Sequence, residues 1–472
     1  MLATALSPQS QEEKKMKLQV EVISKELIKP SSPTPENLRH YQLSSLDQIS
    51  PSVYGPTVHF FASDDGSCLP EFKSTDDISN RLKKSLSDIL THYYPFSGRV
   101  IDNKFIDCND EGVPYLVARV NKPCKLKDVH ENTDFDELNK LLPFELDDVY
   151  ELTLGVQLNV FDCGGFALGI CISHKIADAL SSLTFINSWA AIARGEANLV
   201  RTNFSSATLF PPKDNTHGFD STVYITKKNI ITKRFVFDAS AIKSIKERYA
   251  EDCIRFETSS ENKKKHYSRV EVLIAFIWRR FLAVADIRDQ NTYHALVHYV
   301  NLRSRMKPPL PDYAFGNYYA DAQTDPVLVP LSSNSTNDGL CYPLVRQVME
   351  KIRKFDMDFI NSIRAGGDEY LNILKEDSER YLRGEVVPFM FTSLCGYPLY
   401  DTDFGWGKPT WVGFSHWTYK NLVILMDTKL GGDVEALICL DVKDMAKFEN
   451  DKELLAYVSP TAGSSKKLRS LL

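Results

Sequence analysis

The stretch from Val156 to Asp178 constrains the fold more than any other part of the chain. Val156, Leu158 and Val160 alternate, Gly164-Gly165 supplies a turn, and Phe166, Leu168, Ile170 and Ile172 alternate back. A period of two folded at a glycine pair is the pattern of a β-hairpin. Helical periodicity follows from about Asp178 to Arg194, with Leu183, Ile186 and Trp189 or Ala190 inward and Gly195 placed to end the helix. His174 therefore falls at a strand-to-helix junction, where backbone can hold it on two sides while its ring faces a cleft.

The rest of the chain mixes the same two periods. Residues 1–16 are polar and are expected to be disordered. Val20 to Ile28 alternates like a strand and stops at Pro30. Residues 77–94 read as an amphipathic helix with Ile78, Leu82, Leu86, Ile89 and Tyr93 on one face, ended by Pro95. Residues 205–231, rich in Ser, Pro, Asp and Lys, form the best linker, and periodic structure resumes at Lys233. The expected division is an N-terminal lobe over 17–204 and a C-terminal lobe over 232–472. A polar loop at 330–340 is expected to be mobile and exposed. Strand and helix signals occur on both sides of the linker, so the class is α/β or α+β in two lobes of comparable size.

Composition excludes several classes. Lys and Arg total 56 against 62 Asp and Glu, a net charge of −6, which argues against a nucleic-acid or anionic-membrane partner. The nine cysteines are scattered with no C-x-x-C pair, as expected of reduced thiols and not of a zinc site. The N-terminus has no apolar core of a secretory signal, and Val270 to Ala285 is broken by Glu271, Arg279 and Arg280. A cytoplasmic protein with no membrane partner is the expectation.

His174 opens the segment His174-Lys175-Ile176-Ala177-Asp178. An ordinary pKa near 6.5 suits a histidine to general-base work; the alternative is a loop histidine satisfied by backbone. Asp178 has three readings: a triad partner for the histidine, a helix N-cap, or a salt bridge to a distant arginine, and a structural role is favoured. Asp403-Phe-Gly405-Trp-Gly407 sets two glycines around a tryptophan and reads as a shaped loop, not a phosphate loop. Ser268-Arg-Val-Glu271 is a capping box before an apolar helix, with Lys263, Lys264 and Lys265 upstream. Such a helix start suits an anion, although an ordinary cap explains it equally. No G-x-S-x-G elbow occurs. His294 and His298 sit in an alternating, strand-like segment, which spoils paired metal ligation, and strand alternation turns Cys171 away from Ile170 and Ile172, making it a poor nucleophile.

The pair His174-x-x-x-Asp178 and, over two hundred residues later, Asp403-Phe-Gly-Trp-Gly407 resembles the HxxxD and DFGWG motifs of the BAHD acyltransferases. The resemblance spans nearly the whole chain: VEVISKELIKPSSPTP at 20–35, LSSLDQ at 43–48, YYPFSGR at 93–99, VNLRSRMKPPLP at 300–311, FGN at 315–317 and LMDTKLGGDVEA at 425–436. It is nearest to a branch of alkaloid acetyltransferases, with limonoid and other terpenoid acetyltransferases beside it.

That resemblance implies a chloramphenicol-acetyltransferase-like fold, two lobes of mixed sheet and flanking helices meeting along a channel. It implies an acyl-CoA co-substrate, acetyl-CoA ahead of malonyl or benzoyl, and an alkaloid or terpenoid alcohol as acceptor. His174 would be the general base between them. Asp178 would turn away and pair with Arg303. Asp403, Gly405 and Gly407 would be structural, and Ser268 would lie on the CoA phosphate side. Apart from the resemblance, Thr392 is the candidate for a hydroxyl near substrate or oxyanion. A monomer is implied, with no permanently bound cofactor and no metal. Leu394 departs from the pattern, since the family commonly has a tryptophan there, on the acceptor side. An esterase or thioesterase and a non-catalytic CoA-binding homologue are the alternatives from other classes.

Overall fold

The computed structural model describes residues 17–62, 74–121, 126–131, 135–146, 151–196, 201–214, 225, 229–256, 267–284, 292–328 and 341–458. The expectations for residues 1–16, for 330–340 and for Lys263 to Lys265 lie outside them. The hairpin forms as its alternation demands. β7 (Leu154–Phe161) pairs antiparallel with β8 (Phe166–Ser173), and Gly164 turns between them at φ +85°. A six-stranded mixed sheet grows around it in the order β1-β6-β7-β8-β3-β14, with β1 at Gln19–Ile28, β3 at Tyr54–Phe61, β6 at Val113–Asn121 and β14 at Trp411–Gly413. Within this sheet, among the described residues, β6 and β7 pair parallel and the other neighbours antiparallel.

A second, seven-stranded sheet runs β11-β10-β13-β15-β16-β9, with β12 beside β10. Its strands are β9 (Ile230–Phe237), β10 (Tyr293–Asn301), β11 (Tyr319–Gln323), β12 (Val327–Leu328), β13 (Val386–Ser393), β15 (Leu422–Asp427) and β16 (Val434–Asp441). A small sheet of β2 (His40–Gln42), β4 (Arg99–Ile101) and β5 (Phe105–Asp107) lies apart.

The central strands of both large sheets are buried on two faces, while the edge strand β1 is largely exposed, and strand alternation divides the buried side chains between different cores. Leu168, Ile170 and Ile172 join the helices Thr75–His92 and Ala179–Ala193 in one core, while Ala167 and Cys171 face the other way. In the second sheet Phe389, Phe391, Val423 and Leu425 pack under the helix Arg269–Val284. Met390, Leu422 and Ile424 meet Tyr54, Val58 and Cys171 in a shared core between the sheets. Burying these apolar faces contributes about 25 cal/mol per Å², so the two sheets are bound by the same effect that builds each lobe.

Chain order and lobe membership do not coincide everywhere. β14 comes from the C-terminal part but pairs with β3 of the first sheet, and Trp411 stacks on Phe60 at 5.0 Å. Nor is the segment 205–231 structureless throughout: Ser206–Leu209 forms a helical turn, Phe210 is fully buried against Tyr318, and β9 already starts at Ile230. An apolar residue in a polar run escaped the composition signal.

The DFGWG segment explains why the chain crosses. Phe404 and Trp406 insert into the first lobe's helix-side core, Phe404 meeting Trp189 at 5.0 Å and Trp406 meeting Phe166 at 5.2 Å. Asp403 Oδ1 accepts from Gly405 N–H at 2.7 Å and Gly407 N–H at 3.0 Å, so the acid folds its own loop. Gly405 has φ +101°, and a Cβ there would run into the Arg81 guanidinium. Arg81 is held in place by the Ala193 carbonyl at 2.9 Å and lies 5.5 Å over the Trp406 ring. Gly405→Ala is expected to cost about 1–3 kcal/mol through the strained φ and the displaced arginine. A clear fall in melting temperature checks this; an unchanged one would show that the loop accommodates a side chain.

Candidate active site

The end of β8 delivers His174. Ser173 N–H donates to the Thr153 carbonyl and His174 N–H to the Val53 carbonyl, each at 2.9 Å. From the opposite side Asn317 Nδ2 donates to the His174 carbonyl at 2.9 Å. The backbone is thus fixed by separate segments, and the partly exposed residue lines a cavity of about 200 Å³ at the junction of the lobes. Thr57 and Ile172 line it from the first sheet, Thr392 and Ile424 from the second. Tyr319 stands edge-on to the histidine ring at 5.6 Å.

Burial pushes the His174 pKa below its ordinary 6.5 and the Lys175 charge adds to that, while hydrogen bonds and the Asp178 charge oppose it. A ring so placed is neutral at pH 7 and able to accept a proton. Lys175 turns away from the cavity and donates Nζ to the Gln48 carbonyl at 3.0 Å; burial brings its pKa down to about 8, against the pull of Asp47.

Asp178 combines two of its three sequence readings. It caps the helix Ala179–Ala193 by accepting from Ser181 N–H at 2.9 Å. It also receives a two-pronged bond from Arg303, Nη1 at 2.6 Å and Nη2 at 3.0 Å, and the Tyr318 N–H at 3.0 Å. These partners turn the carboxyl toward Arg303, not into a triad with the histidine. Burial raises the Asp178 pKa, but the Arg303 charge and the hydrogen bonds outweigh it and hold the carboxyl below its ordinary 3.8. Arg303 is 2% exposed and also donates to the Ala314 carbonyl, the Gly316 carbonyl and Ser181 Oγ.

A second buried acid was missed from sequence as a site residue. Asp47 caps its own short helix, accepting from Ser44 N–H at 2.9 Å and Ser44 Oγ at 2.7 Å. Its other oxygen accepts from the Asn317 backbone and side chain, both at 2.9 Å. Asn317 therefore ties Asp47 to the His174 carbonyl. The segments LSSLDQ and FGN drew notice only by resemblance, and an S-x-x-D cap explains Asp47 without any link to a site.

Other expected residues fall in separate places. Thr392 lines the cavity beside Leu394, which is 4% exposed in the inter-sheet core. Asp403, Gly405 and Gly407 do not line it. Ser268 is exposed at the start of the helix Arg269–Val284 and completes the capping box: its N–H donates to Glu271 at 2.7 Å, and Glu271 N–H donates to Ser268 Oγ at 3.2 Å. Arg269 next to it pairs with Asp427 at 2.7 Å. His294 and His298 lie on β10, and among the described residues no group of three or more His, Cys, Asp or Glu is placed for a metal ion.

The cavity lies at the meeting of two mixed sheets, with His174 just past the end of a central strand, and comparison with known proteins shows which class of enzyme shares this arrangement. The profile of the Transferase family matches residues 18–455. Stemmadenine O-acetyltransferase of Catharanthus roseus is 36% identical over 446 residues, covering 92% of this chain and 97% of that protein. Limonoid 21-O-acetyltransferase of Melia azedarach is 34% identical over 452 residues, covering 94% and 99%. The crystal structure of vinorine synthase covers 94% of this chain and all of that one at 33% identity, with a TM-score of 0.76. The F. graminearum TRI101 structure with coenzyme A and T-2 mycotoxin shares the fold at TM-score 0.69 and 18% identity, over 89% of this chain and 99% of that one. The chain belongs to the Transferase family, the BAHD acyl-CoA-dependent O-acyltransferases. It is an acyltransferase.

Removing one partner of a buried pair leaves an uncompensated charge, so Arg303→Met is expected to cost about 3–5 kcal/mol at neutral pH. In the wild type the depressed Asp178 pKa gives stability that is present above pH 3.8, the ordinary carboxylate value, and is lost as pH falls through the lower folded value. In the variant the buried carboxyl takes up a proton more readily, so the deficit narrows toward acid. Denaturant unfolding of both proteins at neutral and acid pH measures this; a deficit independent of pH would detach the loss from Asp178.

Proposed function

We propose that this acyltransferase moves an acetyl group from acetyl-CoA to the hydroxyl of a plant specialised-metabolite alcohol, an alkaloid or a terpenoid such as a limonoid. We read it as a cytoplasmic monomer with no permanently bound cofactor, and His174 as its general base. The observation that carries the reading is His174, its backbone fixed by the Val53 carbonyl and Asn317, lining a cavity shared by both sheets. Two relatives whose names specify acetyl transfer, at 34–36% identity over more than nine-tenths of the chain, support acetyl as the acyl group. Their acceptors differ, one an alkaloid name and one a limonoid name, and identity at that level does not select between them.

In this mechanism acyl-CoA and alcohol are bound together. His174 takes the proton of the acceptor hydroxyl, and the oxygen attacks the thioester carbonyl. The tetrahedral oxyanion collapses to ester and CoA thiolate, and the protonated ring returns its proton to the thiolate sulfur. Asp178 and Arg303 act at one remove, by holding the strand end and the helix start. Thr392, on the cavity wall, is the proposed hydroxyl near substrate or oxyanion. The exposed helix start at Ser268 is the proposed contact for CoA phosphate, since the N-terminal end of a helix and its dipole favour an anion.

Mass-spectrometric product analysis with acetyl-CoA and a panel of alkaloid and terpenoid alcohols tests the proposal. An acetyl ester from the wild type, reduced about 10²–10⁴-fold in a normally melting His174→Ala variant, is the expected result. Free acetate without ester would mean hydrolysis instead. The acid limb of kcat/KM should have its midpoint below 6.5, because protonating the lowered His174 removes the base. A midpoint above 6.5 would contradict the environment assigned to the ring.

A further inference from the structure

One carboxylate on the cavity wall lacks the compensation that the other buried acids have. Asp178 is matched by Arg303, and Asp47 by four donors from Ser44 and Asn317. Asp321 lines the same cavity as His174, and among the described residues no lysine or arginine forms an ion pair with it. Burial, and then the neighbouring Asp377 charge, raise its pKa to about 7, against a lowering hydrogen bond with Tyr370. Asp377 has compensation of its own, from Gln323 Nε2 at 2.9 Å and from the Arg380 and Lys351 charges.

The surroundings of Asp321 are aromatic. It sits on β11, where Ala320 and Ala322 turn into the core while Tyr319 and Asp321 reach the cavity. Tyr299 is its direct register partner on β10 and lines the cavity too. The Tyr299 and Tyr319 rings meet edge-on at 5.7 Å. Tyr370, also on the wall, accepts the Asp321 N–H at 2.9 Å. A carboxylate among aromatic rings in a desolvated pocket is the chemistry that recognises an ammonium ion, by charge and by attraction to ring faces.

We propose that Asp321, with Tyr299, Tyr319 and Tyr370, is the cation subsite of the acceptor pocket, and that the acceptor is an alcohol carrying a protonated amine. The proposal rests on the acetyl-transfer reading and narrows its acceptor class toward basic alkaloids and away from neutral terpenoids. Geometry also limits the acceptor's shape. Tyr319 touches the His174 ring, and Asp321 lies two residues further along the strand, about 7 Å away. The amine and the reacting hydroxyl are therefore separate groups of the acceptor, set apart from one another along the cavity.

The test uses a rigid polycyclic alcohol bearing a tertiary amine and its isostere with carbon in place of nitrogen. Calorimetry measures the affinity of each for the wild type, Asp321→Asn and Asp321→Glu, all checked for normal melting. The wild type should bind the amine at least tenfold more tightly than the isostere. Asp321→Asn should abolish that preference and Asp321→Glu should retain part of it. Equal binding of the two probes by the wild type, or equal weakening of both by Asp321→Asn, would overturn the subsite. Ester formation from acetyl-CoA is scored on the same samples. Amine preference without ester from either alcohol would sustain the subsite and defeat the acetyl-transfer reading; ester without amine preference would do the reverse.

Discussion

The buried pair of Arg303 and Asp178 is the interaction on which the site depends. Desolvating both groups is expensive, and the cost is offset only because each is nearly saturated with partners. Asp178 caps a helix, receives two guanidinium bonds and takes the Tyr318 N–H; Arg303 holds the Ala314 and Gly316 carbonyls. Three stretches distant in sequence, at 178–181, 303 and 314–318, thereby acquire one relative placement. Gly316 sits at the centre with φ +135°, where a Cβ would press on Ser206 at 2.8 Å. Asn317 follows it, and its side chain reaches the His174 carbonyl. The ion pair thus positions the histidine without touching its ring.

The sheets extend that logic. Where strands are buried on both sides, each residue step chooses between a helix-covered core and the core between lobes. His174 emerges at the end of β8 into the second of these environments. Its neighbours Ile176 and Ala177 return to the first. The environment that lowers the histidine pKa is the same packed boundary that holds the lobes together, so proton affinity and lobe contact are coupled properties of one surface.

Much of this was legible in the sequence because the signals were local. The hairpin, the helix starting at Asp178, the helix read over 77–94 and found at Thr75–His92, the capping box at Ser268 and the strand-bound His294 and His298 all follow from period and caps. Arg303 was found only through resemblance, since no local pattern links it to Asp178 across 125 positions. Asp47, Asn317 and Asp321 escaped because each has a plain local reading, as a cap, a loop amide and a polar strand residue. Their significance arises from contacts or a cavity made by remote segments. The ordered turn at 206–209 was hidden for a related reason: one buried phenylalanine anchors a run whose composition is that of a linker.

The crossing of β14 into the first sheet has a consequence for biosynthesis. Strands β1, β3, β6, β7 and β8 have all been synthesised by residue 173, yet the far edge of β3 waits for residues 411–413. At ~5–20 residues per second, that edge stays unpaired for on the order of ten to fifty seconds. An open strand edge is a template for pairing with another chain. The nascent first lobe is thus a half-finished surface that the last quarter of the chain must close, and its exposure to chaperones or to neighbouring nascent chains is set by the distance between two strands that end up side by side.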